Sequence, residues 1–273
     1  MPDFNKISIL GCGNMGAALI RGAAASEDRL PTDVFVYDTN KDSLAVLADE
    51  CKITPVNSLD ALLNASEVVV SAVKPQIFLQ IAPDIAKCLT KGSAKKILIS
   101  IMAGLTVSKI ESLLEGKFEV VRTMPNLPLS VFEGATAIAT DGHSGEIISC
   151  VENFFRVTGK TSRVQESLLD AVTGLSGSGP MYVFEFVDGL ISAGCQSGLN
   201  LDVSKNLAMQ TIKGALALLE QGTDSPGDWT KKVCSPGGTT LAGLAVLENE
   251  KFKPILVKAV KAAVARSQEL GKG

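Results

Sequence analysis

A chain of 273 residues that is 46% apolar, 20% charged and 5% aromatic, with 25 Gly and 11 Pro, is neither a disordered polymer, a collagen nor a disulfide miniprotein. Its length suits two domains of ordinary size, each able to bury a core. The 26 basic residues against 29 acidic ones give a net charge of −3 with no long run of either sign, so no footprint for nucleic acid or an acidic membrane surface is visible.

No apolar stretch approaches the ~20 residues that cross a bilayer, and Val68 to Val73 is only strand-sized. Met1 to Lys6 leads directly into strand-like sequence, with no room for a signal peptide, so no membrane association and a cytoplasmic location are expected. Cys12, Cys51, Cys88, Cys150, Cys195 and Cys234 are scattered without a C-x-x-C pair, and His143 is the single histidine. Neither a disulfide framework nor a metal site is expected.

Taken in order, β-branched runs alternate with helical patterns over the first ~160 residues. Strands are expected at Lys6 to Leu10, Val34 to Tyr37, Val68 to Ala72, Ile97 to Ile101 and Val120 to Arg122, and crossover helices at Ala17 to Ala25, Asp42 to Ala48 and Ile77 to Lys87. A strand at Ala135 to Thr140, a helix at Gly145 to Val157 and a strand at Lys160 to Val164 complete the set. Continuous apolar strands fit a parallel sheet covered on both faces. Beyond Val164 no strand-like run recurs and apolar residues fall at helical spacing, as in Val183, Val187, Leu190, Ile191 and Gly194, then in Ala208 to Leu219 and Ile255 to Ala265. Helices apolar on more than one side need a second subunit to cover them. The expected architecture is an α/β Rossmann domain with a doubly wound parallel sheet, residues 1–163, followed by an all-helical dimerisation and substrate-binding domain, residues 164–273.

The sharpest motif is Gly11-Cys12-Gly13-Asn14-Met15-Gly16, directly after a strand and opening a helix. Gly11 allows the tight turn, Gly13 the approach of a pyrophosphate, and Gly16 close helix–sheet packing, while the helix N-terminus offers free N–H groups to the anion. Asp38 ends the second strand, where a carboxylate can bond a ribose 2′-OH and would favour NAD. The adjoining Thr39-Asn40-Lys41 is polar and cationic and could hold a phosphate, or could be a solvated turn with an N-cap. Ala72-Val73-Lys74-Pro75, Ala103-Gly104 and Arg122-Thr-Met-Pro-Asn126 lie at the same carboxyl edge of the sheet, so three further loops converge where a nicotinamide ring would lie. In the helical half, Gly174 to Pro180 and Ser235-Pro-Gly-Gly-Thr-Thr240 read as interhelical glycine loops suited to anions, the second with Thr239 or Thr240 capping a helix that begins near Leu241.

These motifs are those of the Δ1-pyrroline-5-carboxylate reductase family, which the sequence resembles from about residue 6 to 270: the Gly11 to Gly16 turn, Ala72-Val-Lys-Pro75, Arg122-x-Met-Pro-Asn126-x-Pro128, Asp170 to Pro180 and Ser235 to Thr240. The resemblance implies NAD(P)H-dependent reduction of pyrroline-5-carboxylate to L-proline, with NADPH favoured over NADH, by a homodimer that in the family often assembles into decamers. It implies cofactor contacts at Asn57, Lys74 and Ile101 to Ala103 beside the glycine turn and the segment Asp38 to Lys41. Glu166, Val233, Ser235, Gly238, Thr239 and Thr240 resemble the substrate pocket, with Thr240 the candidate catalytic hydroxyl. Two departures bear on the cofactor's fit: the family's usual Ala-Ala-Gly after the strand at Ser100 reads Ile101-Met102-Ala103-Gly104, placing a bulky Met beside the ring site, and Leu127 stands where Thr is frequent. A β-hydroxyacid dehydrogenase, whose pattern has a catalytic Lys after the glycines of the second domain, is disfavoured because Pro180 to Val187 holds neither Lys nor Asn. A non-catalytic NAD(P)-sensing protein is the alternative from outside the enzymes.

Overall fold

A computed structural model describes residues 3–25, 31–89 and 94–272. The chain runs β1 (Lys6–Leu10), α1 (Asn14–Ala25), β2 (Asp33–Tyr37), α2 (Lys41–Cys51), β3 (Thr54–Pro55), α3 (Leu59–Ala65), β4 (Val68–Ser71) and α4 (Pro75–Cys88). It continues through β5 (Lys96–Ser100), α5 (Val107–Leu113), β6 (Phe118–Met124), a 3-10 turn (Leu127–Val131), β7 (Gly134–Ala139), α6 (Gly145–Arg156) and β8 (Gly159–Val164). After a 3-10 turn at Glu166–Leu168 come α7 (Leu169–Val172), a π-turn (Thr173–Gly177), α8 (Gly179–Gln196), α9 (Leu201–Glu220), α10 (Pro226–Val233), α11 (Thr239–Asn249) and α12 (Phe252–Lys272).

The strands form one sheet of order β3-β2-β1-β4-β5-β6-β7-β8. All neighbours are parallel except β6 and β7. That exception differs from the all-parallel expectation and has a simple cause. Only Pro125 to Glu133 joins the two strands, too short for the crossover of a dozen or more residues that parallel pairing requires. The seven-residue helices α3 and α5 and the two-residue β3 were not expected, because segments so short show little periodicity. Their signal lay in the caps: the Ser58 and Thr106 side chains accept from Ala61 N and Lys109 N.

Each strand sends alternate residues to opposite faces. Ile7, Ile9, Val68, Val70, Ile97 and Ile99 pack with α1, α2 and α6, where Leu19, Leu44, Leu47 and Phe155 close one core. Leu10, Val69 and Leu98 pack with Leu62 and Leu63 of α3, Phe78 of α4 and Ile110 of α5 in the other. Because both faces are dry, ligands have access only at the strand ends.

The chain divides into two compact units, Met1–Ser178 with Lys261–Gly273, and Gly179–Val260. The second contains α8 to α11 and the start of α12, and only Ser204 and Ala208 are buried in it. Inside it α8 and α9 touch where a Cβ on Gly194 would stand 2.7 Å from Ser204 Oγ. Its other apolar residues stay outside, with Phe184 61% and Val246 59% exposed. A four-helix unit with no core has nothing to offset the entropy of ordering it, so its apolar faces must be covered by a further surface.

Candidate nucleotide-binding edge

The site is built from the segments that leave the parallel strands, since parallel strands bring their carboxyl ends to one edge. Gly11 comes directly after β1, Asp38 after β2, Asn57 two residues past β3, Ala72-Val73-Lys74 after β4, and Ile101 to Ala103 after β5. Strand order reverses between β1 and β4, and the crevice of a doubly wound sheet opens at that reversal.

The glycines there differ in their reasons. Gly11 has φ +96°, and a Cβ on it would stand 2.8 Å from Val73 Cγ1 and 3.1 Å from the Ala72 carbonyl carbon. A Cβ on Gly16 would run into the carbonyl oxygen of Gly11 and stand 3.2 Å from Ala72 Cβ. Gly13 has nothing within 4 Å of where its Cβ would be, so at that position the backbone itself faces open space. Two tight glycines and one open one make a cradle whose wall is backbone, with the N-terminus of the twelve-residue α1 directed into it. A pyrophosphate fits such a cradle. A cleft of about 650 Å³ opens beside it, lined by Cys12, Gly13, Asn14, Asn40 and Ser43 and reaching Leu127.

Asp38 is committed to the protein's own turn. Its Oδ2 accepts from Cys12 N at 2.7 Å and its Oδ1 from Asn40 N at 2.8 Å. Burial pushes its carboxyl up, but the donors, Cys12 N–H and Asn40 N–H foremost, outweigh burial and hold it below the ordinary carboxylate range. Burial, and after it the neighbouring Asp38, pushes the Cys12 thiol up to about 11. The expected reader of a ribose hydroxyl is thus a brace joining the turn after β1 to the turn after β2. Asn40 caps α2 by accepting from Ser43 N at 3.1 Å, and Lys41 Nζ lies 5.1 Å from the centre of the Tyr37 ring. Asn57 and Lys74 are exposed, and Lys74 precedes Pro75 at the start of α4.

The edge also corrects several expectations. Met102 does not project beside the ring site: it is 2% exposed, packed in the core under α3 to α5, and its Sδ accepts from Ser71 Oγ at 3.5 Å. Only its backbone faces the edge beside Ile101 and Ala103. Glu166 is already engaged, its Oε1 accepting from Val107 N at 2.7 Å and Arg122 Nη1 at 2.9 Å. Asn126 is a structural tie, donating to the Ser176 carbonyl at 3.2 Å and accepting from Ala135 N at 2.8 Å. His143 stands apart from the edge's chemistry, with Nδ1 3.0 Å from Glu119 Oε1, a carboxylate partner that the sequence order concealed.

At the end of the first unit's main segment, Gly174 to Gly177 is no loop: it forms a π-turn between α7 and the start of α8, with Ser178 N donating to the Thr173 carbonyl at 2.8 Å. At Ser235 to Thr240 the helix begins earlier than expected. Gly238, not Thr239 or Thr240, is the N-cap of α11, and no side chain caps it. Gly237 has φ +70°, Gly238 N donates to the Ser235 carbonyl at 3.0 Å, and a Cβ on Gly238 would stand 2.5 Å from Ser235 Oγ. The first N–H groups of this eleven-residue helix are left without an internal partner.

Fold and site together define a class: an oxidoreductase that holds a nicotinamide dinucleotide on a Rossmann sheet and carries a helical second unit. Residues 6–104 match the family model described as NADP oxidoreductase, coenzyme F420-dependent, and residues 166–270 match that described as pyrroline-5-carboxylate reductase dimerisation. The chain is 32% identical over 268 residues to a pyrroline-5-carboxylate reductase of Escherichia coli, covering 98% of each. It is 35% identical over 271 residues to that of a Synechocystis strain, again covering 98% of each. A crystal structure of Plasmodium falciparum pyrroline carboxylate reductase with NADP bound superposes with a TM-score of 0.87 at 31% identity, covering 97% of this chain and 98% of that one. The chain belongs to the pyrroline-5-carboxylate reductase family.

Two outcomes are expected of the edge. The depressed Asp38 value means that its stabilisation is complete above about pH 4 and is lost as pH falls through the folded-state value. Asp38→Asn should therefore cost about 1–2 kcal/mol at neutral pH, with the deficit shrinking as pH falls through the folded-state value; thermal melts over a series of acid pH values check this, and a deficit that does not change with pH contradicts it. Glu166→Gln leaves the Arg122 guanidinium, whose side chain is 6% exposed, without its counter-charge, a loss of about 2–4 kcal/mol. Urea titration should show the double variant with Arg122→Met recovering part of that loss, and strict additivity would mean the pair is not coupled.

Proposed function

We propose that this chain reduces Δ1-pyrroline-5-carboxylate to L-proline using NADPH in preference to NADH, with residues 1–163 holding the nucleotide and residues 164–273 forming the dimer and the substrate pocket. The observation that carries the reading is the end-to-end relationship to reductases of that name, supported by two anion sites of backbone N–H groups, one at Gly11 to Gly16 and one at Gly238 to Leu241. When bound, the nicotinamide supplies the hydride that the imine carbon of the ring accepts. A cyclic imine protonates readily, so the protein's task is orientation rather than strong acid catalysis.

The residues divide that task. The cradle at Gly11, Cys12, Gly13, Asn14, Met15 and Gly16 takes the pyrophosphate. Asp38 has both carboxylate oxygens occupied by its own backbone, so it does not select for a free 2′-hydroxyl, and Thr39, Asn40 and Lys41 at the start of α2 are left to receive a 2′-phosphate. Asn57, Ala72, Val73, Lys74 and Pro75, with Ile101, Met102 and Ala103, border the rest of the nucleotide, Met102 through its backbone.

The uncapped start of α11 receives the substrate carboxylate, because an anion satisfies N–H groups that no side chain satisfies there. Val233, Ser235, Gly238 and Thr239 shape that pocket, and the Thr240 hydroxyl donates toward the imine nitrogen. Glu166, which the family resemblance assigns to the pocket, holds the start of α5 by accepting from Val107 N. A second copy of the chain covers the apolar helices of the Gly179–Val260 unit, and decamers of such dimers match the pattern that the family resemblance implies. Among the described residues no helix is long and apolar enough to cross a membrane, and the cytoplasm is the compartment this reading assigns.

Oxidation of NADPH and NADH, monitored by nucleotide absorbance with and without pyrroline-5-carboxylate, tests the reaction. Substrate-dependent oxidation with a higher kcat/KM for NADPH is expected. Nucleotide binding without turnover would favour the sensor alternative instead. Thr240→Ala should lower kcat by about 10²-fold, and unchanged kcat and KM would remove the hydroxyl from the mechanism. Light scattering on the intact protein should show no monomer at micromolar concentration; a stable monomer would refute the covering of the helical unit by a second copy.

A further inference from the structure

The segment Ile101 to Thr106, between β5 and α5, carries a positive-φ glycine, Gly104 at +82°. Such a segment keeps one conformation only if its surroundings fix it, and here three contacts do so within the first unit. Met102 anchors it from below through the core. Glu166 holds its far end by accepting from Val107 N. The third contact comes from the end of the chain. A Cβ on Gly104 would stand 2.9 Å from Gly271 N and 3.1 Å from the Leu270 carbonyl carbon, and a Cβ on Gly271 would run into the Gly104 carbonyl oxygen. Two backbones therefore meet with no side chain between them. One helical turn earlier on α12, Ser267 is 3% exposed and its hydroxyl donates to Asp170 Oδ1 at 2.6 Å. The hydrogen bond at 267 thus fastens α12 to α7, and the backbone contact at 271 sets its last turn against this segment.

We propose that Ser267 and Gly271 are positioning residues for hydride transfer: the last turn of α12 fixes the Ile101–Gly104 backbone against which the nicotinamide ring is oriented. The inference rests on the proposed reductase activity, in which that segment flanks the ring. The adenosine half of the nucleotide is gripped elsewhere, at the turns after β1 and β2. Loosening α12 should therefore disturb the ring and spare the affinity, and a ring misplaced by an ångström costs rate steeply.

The test compares the full-length protein with Gly271→Ala, Gly271→Val and Ser267→Ala. At a free helix end Gly271→Ala would raise the melting temperature, because Ala is the better helix former; in this contact it should lower kcat instead. Expected are a fall in kcat of about tenfold for Gly271→Val and severalfold for the other two, with the Kd for NADPH unchanged within about twofold. The primary isotope effect on kcat with deuterated NADPH should rise, because hydride transfer becomes the slower step. The fluorescence of bound NADPH, which reports the surroundings of the nicotinamide with no substrate present, should shift in all three variants. Parent-like kcat, isotope effect and fluorescence would overturn the proposal. So would a parallel loss of kcat and NADPH affinity, the signature of general packing damage. Absence of turnover in the unaltered protein would instead overturn the reading of its function, while the fluorescence comparison would still decide the inference.

Discussion

The structure depends on one place where backbone lies against backbone without side chains between. Gly11, Gly16 and the Ala72–Val73 peptide approach so closely that a single methyl group at either glycine has no room. That approach lets α1 start directly above the sheet and aim its N-terminus at the crevice between β1 and β4. The open face at Gly13, the Asp38 brace and the placing of every later loop along the same edge all derive from it. The chain repeats the device at Gly104 and Gly271. At both places side chains are absent and the peptide backbone sets the distance, and backbone has fewer ways to relax.

Much of this was legible from the residues. The five main parallel strands and the helices α1, α2 and α4 were expected within a few residues, because a sheet buried on both faces imposes uninterrupted β-branched runs such as Val68 to Val70. The glycine turn was legible because each glycine answers a separate geometric demand. The antiparallel β6–β7 pair was not foreseen, although its cause, a nine-residue connection, is countable in the sequence.

The use made of polar side chains stayed hidden. Asp38 was read as a ribose contact from its position and Glu166 as a pocket residue from the family resemblance, yet Asp38 spends both oxygens on backbone N–H groups and Glu166 spends Oε1 on the Val107 N–H and the Arg122 guanidinium. Val107 and Glu166 are 59 residues apart, and no local pattern announces such a partnership. The expected cap at Thr239 or Thr240 was wrong for a related reason: a glycine whose Cβ would crowd Ser235 Oγ took the N-cap position and left the helix start bare. Under the proposed function a bare start serves binding better than a capped one, since a side chain that satisfied those N–H groups would compete with a substrate carboxylate.

The Cys12 thiol carries a consequence for redox chemistry. It sits inside the phosphate-binding turn, where a reactive cysteine would place the nucleotide site at the mercy of peroxides and electrophiles. Burial, and after it the adjacent Asp38 carboxylate, pushes its pKa up to about 11, which disfavours the nucleophilic thiolate at neutral pH. Burial and the carboxylate that braces the turn thus both favour the protonated thiol, the form that reacts poorly with peroxides and electrophiles.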